Sequence, residues 1–402
     1  MKPFIPKTRL AALWVVLVLL SCSGGGGHRL IAGGGIDGTG IISQGPISSY
    51  GSIVVNGTEF DTSGAEIIVD EQSKGVGDQV VRSNLKIGMV VTVEGISYDD
   101  QKIARAARVI YHENLQGPVE SVESIDPSTK KLTVLGQIVL MNALTRFEAT
   151  DLNTLAPGDV ISVSGFFNDQ GDIWATFLQR RDHLAAGPVY KVTGYVVDLN
   201  TNLEFFAING LRVVFSRAIV NGLPDSRLVQ GLFVEVEGTL DADSGILHAT
   251  RIVPGDVLEA EDVDTIEVIG FVTQRDSSFQ FRLGNQRVRV NPKAQFVDGT
   301  AADVVLGTKL EAEGTLEGGI LMADEIEFWR PDQVEVEGFV TDVASTLEFS
   351  IGSQMVQIDG HTVFENGTAA DLGKGILVEV KGVPVDRKRN ILLADKVSFE
   401  EE

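Results

Sequence analysis

Apolar and polar residues alternate along much of the chain. In one such stretch the apolar Val234 and Val236 alternate with Glu235 and Glu237. Successive side chains of a β-strand point to opposite faces, so this pattern predicts strands with one buried and one polar face. No repeated unit contains an apolar pattern with the period and length of an amphipathic helix. The chain is therefore predicted to be all-β.

Three sequence anchors recur five times in the same order, about 70 residues apart. The string L-x-x-G-x-x-V-x-V-x-G, with some substitutions, ends at Gly95, Gly165, Gly238, Gly314 and Gly382. An alanine follows each string, at Ala106, Ala175, Ala249, Ala323 and Ala394. A glycine opens each unit, at Gly40, Gly117, Gly194, Gly270 and Gly338. These recurrences predict five tandem repeats.

Each unit has the pattern of three strands, a short helical turn and two more strands. Asn209-Gly210 and Gly318-Gly319 are hairpin signals between apolar runs. Thr300 and Thr368 precede Ala-Ala-Asp and are predicted to cap single helical turns. This element order is that of a five-stranded, OB-like barrel, whose closure removes exposed sheet edges. The alternatives are five small sandwiches or a continuous β array with sheets shared between units.

The predicted domain organisation is a signal peptide, a tether and five barrels. The signal peptide covers residues 1–21, and the lipidated cysteine with its Gly-rich tether covers 22–35. Repeats 1 to 5 are predicted at 36–113, 117–181, 190–253, 266–328 and 334–399. The first repeat carries an insertion around Asp70 to Arg82. Short joints between the units predict a semi-rigid row.

The N-terminus has the pattern of an exported lipoprotein. Lys2, Lys7 and Arg9 precede the apolar run from Leu10 to Leu20. Eleven helical residues span ~17 Å, too short for a bilayer core of ~30 Å, which indicates a signal peptide. The run ends in Leu-Leu-Ser before Cys22, which is followed by Ser and four glycines. This arrangement resembles a bacterial lipobox, and it predicts acylation of Cys22 and attachment to a membrane through the lipid, with the outer membrane as destination in a two-membrane bacterium.

Charge and cysteine content exclude several classes of partner and site. The formal net charge is −23, and removal of residues 1–21 with their three basic residues brings it to −26. Such a charge argues against nucleic acid, because affinity for that partner comes from neutralising phosphates. The single cysteine excludes disulfide frameworks and multi-cysteine metal sites. The five histidines show no paired-ligand spacing, so we expect no cofactor, no metal and no catalytic residue.

The anchors, with the elements Thr145-Arg146-Phe147 and Thr362-Val363-Phe364, resemble an uncharacterised bacterial repeat family known as domain of unknown function 5666. The resemblance covers nearly all of residues 36–399. It implies an exported, often lipid-anchored, multi-copy β protein. It implies no activity and no functional residues.

Acidic turns and glutamate stripes are the polar features with candidate chemistry. The turn from Asp241 to Gly245 lacks the acidic twelfth ligand of an EF-hand, since that position is Ile252, so it is interpreted as a hairpin turn. Glutamates that alternate with core valines are interpreted as solvated barrel faces: Glu235, Glu237, Glu311, Glu313, Glu335, Glu337 and Glu379.

Repeat 2 has the largest concentration of aromatic residues. Phe166 and Phe167 are adjacent and are therefore expected to face opposite sides of a strand, one in the core and one exposed. With Trp174 they are the candidate contact surface for an envelope protein or glycan.

These observations leave three functional hypotheses. The leading one is a non-enzymatic, lipid-anchored cell-envelope protein that acts as a binding or structural module. The second is an envelope hydrolase or accessory enzyme with a site between repeats. The third is calcium-dependent adhesion through the acidic turns.

Overall fold

The computed structural model describes residues 39–48, 52–98, 101–126, 129–142, 144–181, 189–255, 258, 263–330, 333–352, 354–386 and 391–399. The predicted signal peptide, Cys22 and the tether lie outside these residues. Among the described residues no helix has the length and apolar character needed to cross a bilayer.

The described residues contain thirty-one strands, which build the five repeats. Repeat 1 contains β1 (Thr39–Pro46), β2 (Ile53–Val55), β3 (Thr58–Asp61), β4 (Glu66–Val69), β5 (Gln72–Val76), the helix α1 (Asp78–Asn84), β6 (Val90–Tyr98) and β7 (Gln101–Tyr111). Repeat 2 contains β8 (Leu115–Ser124), β9 (Lys130–Val134), β10 (Gln137–Met141), β11 (Arg146–Glu148), β12 (Val160–Phe167) and β13 (Ile173–Arg181).

Repeat 3 contains β14 (Tyr190–Tyr195), β15 (Val197–Asn200), β16 (Phe205–Ile208), β17 (Leu211–Val214), β18 (Ile219–Val220), β19 (Phe233–Asp241) and β20 (Ile246–Pro254). Repeat 4 contains β21 (Thr265–Ser277), β22 (Gln280–Leu283), β23 (Gln286–Val297), β24 (Lys309–Glu317) and β25 (Ile320–Trp329). Repeat 5 contains β26 (Val334–Ser345), β27 (Glu348–Ile351), β28 (Gln354–Gln357), β29 (Val363–Glu365), β30 (Leu377–Asp386) and β31 (Ile391–Phe399).

Three repeats close into five-stranded barrels with OB-like topology. In repeat 2 the ladders run β8–β9–β10–β13–β12 and return to β8. Repeats 4 and 5 close in the same order. In repeat 3 the first strand is interrupted at Val196, and the remaining ladders keep the order. In repeat 1 the described residues form no ladder between β1 and β2. The all-β, OB-like prediction is confirmed.

The recurring glycine and alanine anchors are cross-strand partners at a β-bulge. In every repeat the ladder between the last two strands shifts register at the closing glycine, which pairs with the recurring alanine, as Gly238 does with Ala249. A Cβ at any of these glycines would approach the opposing backbone carbonyl oxygen more closely than van der Waals contact allows. The strong curvature of these small barrels therefore requires glycine at this point.

The opening anchor of repeat 1 is Gly45, and its assignment to Gly40 is wrong. Gly45 pairs with Val91, the first apolar position of the L-x-x-G-x-x-V string, whereas Gly40 pairs with Ile96. The other opening glycines also pair with that position, as Gly194 does with Val234. A Cβ at Gly45 would collide with the side chain of Asn56, which lies at the tip of the β2–β3 hairpin.

Turn signals in the sequence are confirmed, with one addition. Asn209 and Gly210 both have positive φ, as their hairpin turn requires. Asp303 Oδ2 accepts a hydrogen bond from the backbone N–H of Thr300 at 3.0 Å, and Asp371 does the same for Thr368. The addition is α1, whose seven residues exceed the expected single turns and belong to the insertion of repeat 1.

The repeats do not form a row. Strand β1 pairs in parallel with β21, so repeats 1 and 4 share one sheet. Strand β8 pairs with β14, so repeats 2 and 3 share another. Ile42 of β1 lies in the core of repeat 4, and the cores of repeats 2 and 3 are continuous. The prediction of a semi-rigid row is wrong because strands at the sheet edges of different repeats pair with each other, including those of the non-consecutive repeats 1 and 4.

Candidate functional site: junctions between the repeats

The aromatic residues of repeat 2 lie at junctions with other repeats. Phe166 meets Phe271 of repeat 4 edge-on, with ring centroids 6.5 Å apart. Phe167 meets Phe233 of repeat 3 at 5.4 Å. The four rings help to line a cavity of about 80 Å³. Both Phe166 and Phe167 are half-buried, so the expectation of one core and one exposed ring is wrong: neighbouring repeats cover both faces of the strand end. Trp174 is half-buried as well.

The oxygens of the acidic turns are used inside the turns. Asp241 Oδ1 accepts hydrogen bonds from the backbone N–H groups of Asp243 and Ser244 at 3.0 and 3.3 Å. In repeat 2 the corresponding turn runs from Asn168 to Asp172, and Asn168 Oδ1 accepts hydrogen bonds from the backbone N–H groups of Gln170 and Asp172, each at 2.9 Å. These are the bonds of ordinary Asx turns, so the geometry agrees with the hairpin interpretation.

A buried ion network joins repeats 1, 2 and 3. Lys191 of β14 is 5% exposed, and its Nζ lies 2.6 Å from Asp70 Oδ1 and 3.1 Å from Glu235 Oε1. Arg251 pairs with Glu71 of repeat 1. We call Asp70, Lys191, Glu235 and their partners the lysine junction.

Charge and burial act against each other in the lysine junction. Burial lowers the pKa of Lys191, but the carboxylates of Glu235 and Asp70 outweigh burial and raise it above its ordinary value. Burial raises the pKa of Glu235, although Lys191 opposes that shift. Burial likewise raises the pKa of Glu113, which pairs with Arg181 of repeat 2. These ion pairs therefore connect residues of repeats 1, 2 and 3.

In the described part of the chain, one group of His, Asp and Glu side chains is close enough together to hold a metal ion. It consists of Asp70, His112 and Glu235, whose ligand atoms all lie within 4.8 Å of one another. However, Lys191 Nζ lies 2.6 Å from Asp70 Oδ1 and 3.1 Å from Glu235 Oε1. A cationic side chain therefore already stands where a metal would have to bind. The group fits an ion network better than a metal site.

A second charged surface covers one face of the repeat 4 barrel, which we call the glutamate face. Glu267 pairs across the sheet with Glu313, which pairs in turn with Glu325. Glu311 pairs with Glu327 in a neighbouring row. Like charges directly opposite each other in a sheet are destabilising. Neighbouring carboxylates on this face therefore repel each other when they are ionised.

Repeat 5 covers part of the glutamate face. Lys381 of repeat 5 pairs with Glu327, and its Nζ lies 3.5 Å from Glu335 Oε2. Trp329 Nε1 donates a hydrogen bond to Glu311 Oε2 at 3.2 Å. Burial raises the pKa of Glu311 well above its usual range, and Glu335, Glu267 and Glu327 add to the shift.

Three of the stripe glutamates are not solvated as predicted. Glu235 is 5% exposed in the lysine junction. Glu311 and Glu335, whose side chain is 12% exposed, interact with each other and with Lys381 where repeats 4 and 5 meet. The prediction fails for these residues because another repeat covers the outer face of the barrel. Lys191 and Glu267 were missed by sequence reasoning for the same reason. The one available signal was the consecutive pair Ile41-Ile42, which breaks the alternation and is typical of a strand buried on both faces.

The pKa of Glu267 predicts a pH-dependent stability. Burial raises this pKa from 4.5 to about 7, and Glu313 contributes in the same direction. Because the folded state binds the proton more tightly, stability is expected to fall as pH rises from 4.5 to 7 and then to level off, by about 3 kcal/mol for this group. Urea unfolding at pH 5, 6, 7 and 8 in EDTA measures the free energy of unfolding at each pH.

The Glu267→Gln variant checks that assignment. A neutral amide should raise stability at pH 8 and flatten the pH profile. Glu317→Gln, at an exposed position of the same sheet, should leave the profile unchanged. Parallel profiles for the wild type and Glu267→Gln would contradict the prediction.

The fold and its junctions define a multi-repeat protein built from OB-like barrels. The family model for a domain of unknown function (DUF5666) matches residues 39–109, 116–179, 193–253, 269–327 and 337–398. The chain therefore belongs to the DUF5666 family, with five copies of its domain, as the sequence resemblance predicted.

Comparison with individual proteins adds little to this assignment. No curated protein matches the chain. Among solved structures, it is similar to Drosophila Unr CSD456, with 16% sequence identity over 54% of this chain and 99% of that chain, at a TM-score of 0.13. A TM-score this low carries no inference about arrangement or function.

Proposed function

We propose that the protein is a lipid-anchored cell-envelope protein whose five barrels act as a binding or structural module. The observation that carries the anchoring is the sequence around Cys22: a short apolar run, Leu-Leu-Ser before the cysteine, and a Gly-rich stretch behind it. The cysteine is the only one in the chain, which suits a thiol whose role is to carry lipid.

The use of the charged residues supports a non-enzymatic role. At the lysine junction, Lys191 is the most strongly buried lysine among the described residues, and it is paired with carboxylates of its own repeat and of repeat 1. Groups bound in this way contribute to assembly of the repeats, not to proton transfer with a substrate. The acidic net charge favours an envelope protein or glycan over nucleic acid as partner.

A hydrolase or accessory enzyme with a site between repeats is the competing function. The specific observation in its favour is the grouping of Asp70, His112 and Glu235 at an inter-repeat junction. If this were a catalytic site, His112→Ala should abolish an envelope hydrolase activity while stability is kept. If it is structural, the same variant should change stability alone.

Acylation of Cys22 gives the most direct test of the proposed anchoring. Cys22→Ala should release the protein from membranes into the periplasm or medium, because each buried CH₂ of an acyl chain contributes ~0.8 kcal/mol to membrane binding. Fractionation followed by immunoblotting measures the release. Cys22→Ala protein that remains in the membrane fraction to the same extent as wild type would overturn the proposal.

A further inference from the structure

Repeat 5 packs against the other repeats without a shared sheet. Among the described residues, its strands β26 to β31 pair only with one another. Its core likewise consists of its own residues, from Val340 to Phe399. By contrast, repeats 1 and 4 share one sheet, and repeats 2 and 3 share another. The position of repeat 5 on repeat 4 therefore depends on side-chain contacts, and it can change while both barrels stay folded.

The contacts between repeats 4 and 5 include two ion pairs and an indole ring. Lys381 of β30 pairs with Glu327 of β25, and its Nζ lies 4.8 Å from the centre of the Trp329 ring. Arg330, which follows β25, pairs with Asp395 of β31. Trp329 is 7% exposed at this contact. Exposure of its ring to water therefore reports whether repeat 5 is docked.

Negative charge exceeds positive charge at this contact. Four carboxylates and two ammonium groups meet there: Glu311, Glu327, Glu335 and Glu379 with Lys309 and Lys381. Glu267 of repeat 4 also acts on Glu311. Because Glu335 and Glu379 belong to repeat 5, docking brings them close to the carboxylates of repeat 4. These groups repel one another when all of them are ionised.

Glu311 is the carboxyl through which protons act on docking. Its Oε2 accepts a hydrogen bond from Trp329 Nε1 at 3.2 Å. Burial raises its pKa well above the ordinary value of 4.5, Glu335 of repeat 5 adds to the shift, and Lys381 opposes it. The docked state therefore binds this proton more tightly than a state in which water reaches the carboxyl. Docking is then strongest below pH 4.5, and it weakens by up to about tenfold per pH unit as the pH rises toward the raised pKa.

We propose that repeat 5 is a pH-controlled module, which stays docked on the glutamate face while Glu311 carries a proton and moves off that face when Glu311 is ionised. Repeats 1 to 4 stay together in both states, since their shared sheets and the lysine junction connect them. Undocking uncovers Trp329 and the carboxylates of repeat 4. The contact between repeats 4 and 5 is thus a switch that responds to protons.

Fluorescence of Trp329 in the full chain, held in detergent, tests the proposal. Trp14→Phe and Trp174→Phe together leave Trp329 as the one tryptophan of the chain. Between pH 5 and pH 9 its emission should move to longer wavelength, and its quenching by acrylamide should increase several-fold. Hydrogen exchange of β30 and β31 should stay slow over the same range, because repeat 5 remains folded.

Two matched pairs of variants assign the transition to this contact. Glu311→Gln should keep Trp329 protected up to pH 9, since an amide does not ionise, whereas Glu317→Gln, at the exposed end of β24, should behave as wild type. Lys381→Met should move the transition to lower pH, because docking loses a cation. Lys374→Met, at a side chain that is 68% exposed, should leave the transition unchanged.

Three results would overturn the proposal. One is quenching of Trp329 that stays constant from pH 5 to pH 9. Another is a transition of unchanged size and midpoint in Glu311→Gln. The third is loss of slow exchange throughout repeat 5 together with the Trp329 transition, since the repeat would then unfold instead of undocking. Near-ultraviolet circular dichroism at pH 5 confirms that each variant is folded.

Discussion

Val236→Asp is expected to unfold repeats 2 and 3 together and to leave repeat 5 folded. Val236 is fully buried in a core that runs without a break from Leu115 in repeat 2 to Ile252 in repeat 3. An unpaired charge at this position should cost more than about 4 kcal/mol. Repeat 5 has a core of its own residues, from Val340 to Phe399. Hydrogen exchange followed by mass spectrometry measures the protection of backbone amides in each repeat separately.

The control for this variant is Val229→Asp. Val229 belongs to the same repeat but is 50% exposed, so the same change of charge should leave the exchange of every repeat near its wild-type rate. Loss of protection confined to repeat 3 in Val236→Asp would contradict a continuous core for repeats 2 and 3.

Lys191→Met is expected to destabilise the junction of repeats 1, 2 and 3 by about 3–5 kcal/mol, because it leaves buried carboxylates without their cation. Methionine keeps much of the side-chain volume of lysine, so the loss of stability mainly measures the removal of the positive charge. The loss should be smaller at pH 5 than at pH 8, since Glu235, whose pKa burial already raises, can then take up a proton. Urea unfolding at the two pH values measures both effects.

A double variant separates charge from packing at this junction. Lys191→Met with Glu235→Gln should recover a large part of the lost stability, because the amide carries no charge. Lys293→Met, at an exposed position of β23, should change stability by less than about 0.5 kcal/mol. A double variant no more stable than Lys191→Met alone would contradict the electrostatic explanation.

The barrels could be predicted from sequence because each one repeats the same local requirements. Alternation at Val234 and Val236 reports which strand face meets the core of its own repeat. The closing glycine and its alanine partner recur because the β-bulge leaves no space for a larger residue at the glycine. These features depend on contacts within one repeat of about 70 residues, so they can be recognised from the sequence of each repeat.

The junctions could not be predicted because alternation does not distinguish water from a neighbouring repeat. Glu235 and Glu237 have the same pattern in sequence, yet Glu235 is buried and lies beside His112 of repeat 1. Lys191 occupies an ordinary polar position of β14, and its partner Asp70 lies 121 residues away in the chain. The sequence predicts Phe166 as a contact residue for a partner, and in the structure Phe166 contacts Phe271 of the same chain.

The central claim is that the barrels pack together through shared sheets and do not extend as a row. Small-angle X-ray scattering of residues 36–402 tests it most directly. A packed assembly of this length should give a radius of gyration of about 21 Å, whereas five barrels in a row, each with a radius of gyration of about 11 Å, should give about 40 Å. A measured radius of gyration of about 21 Å would support the parallel pairing of β1 with β21 and the pairing of β8 with β14. A radius of gyration of about 40 Å would contradict this packing.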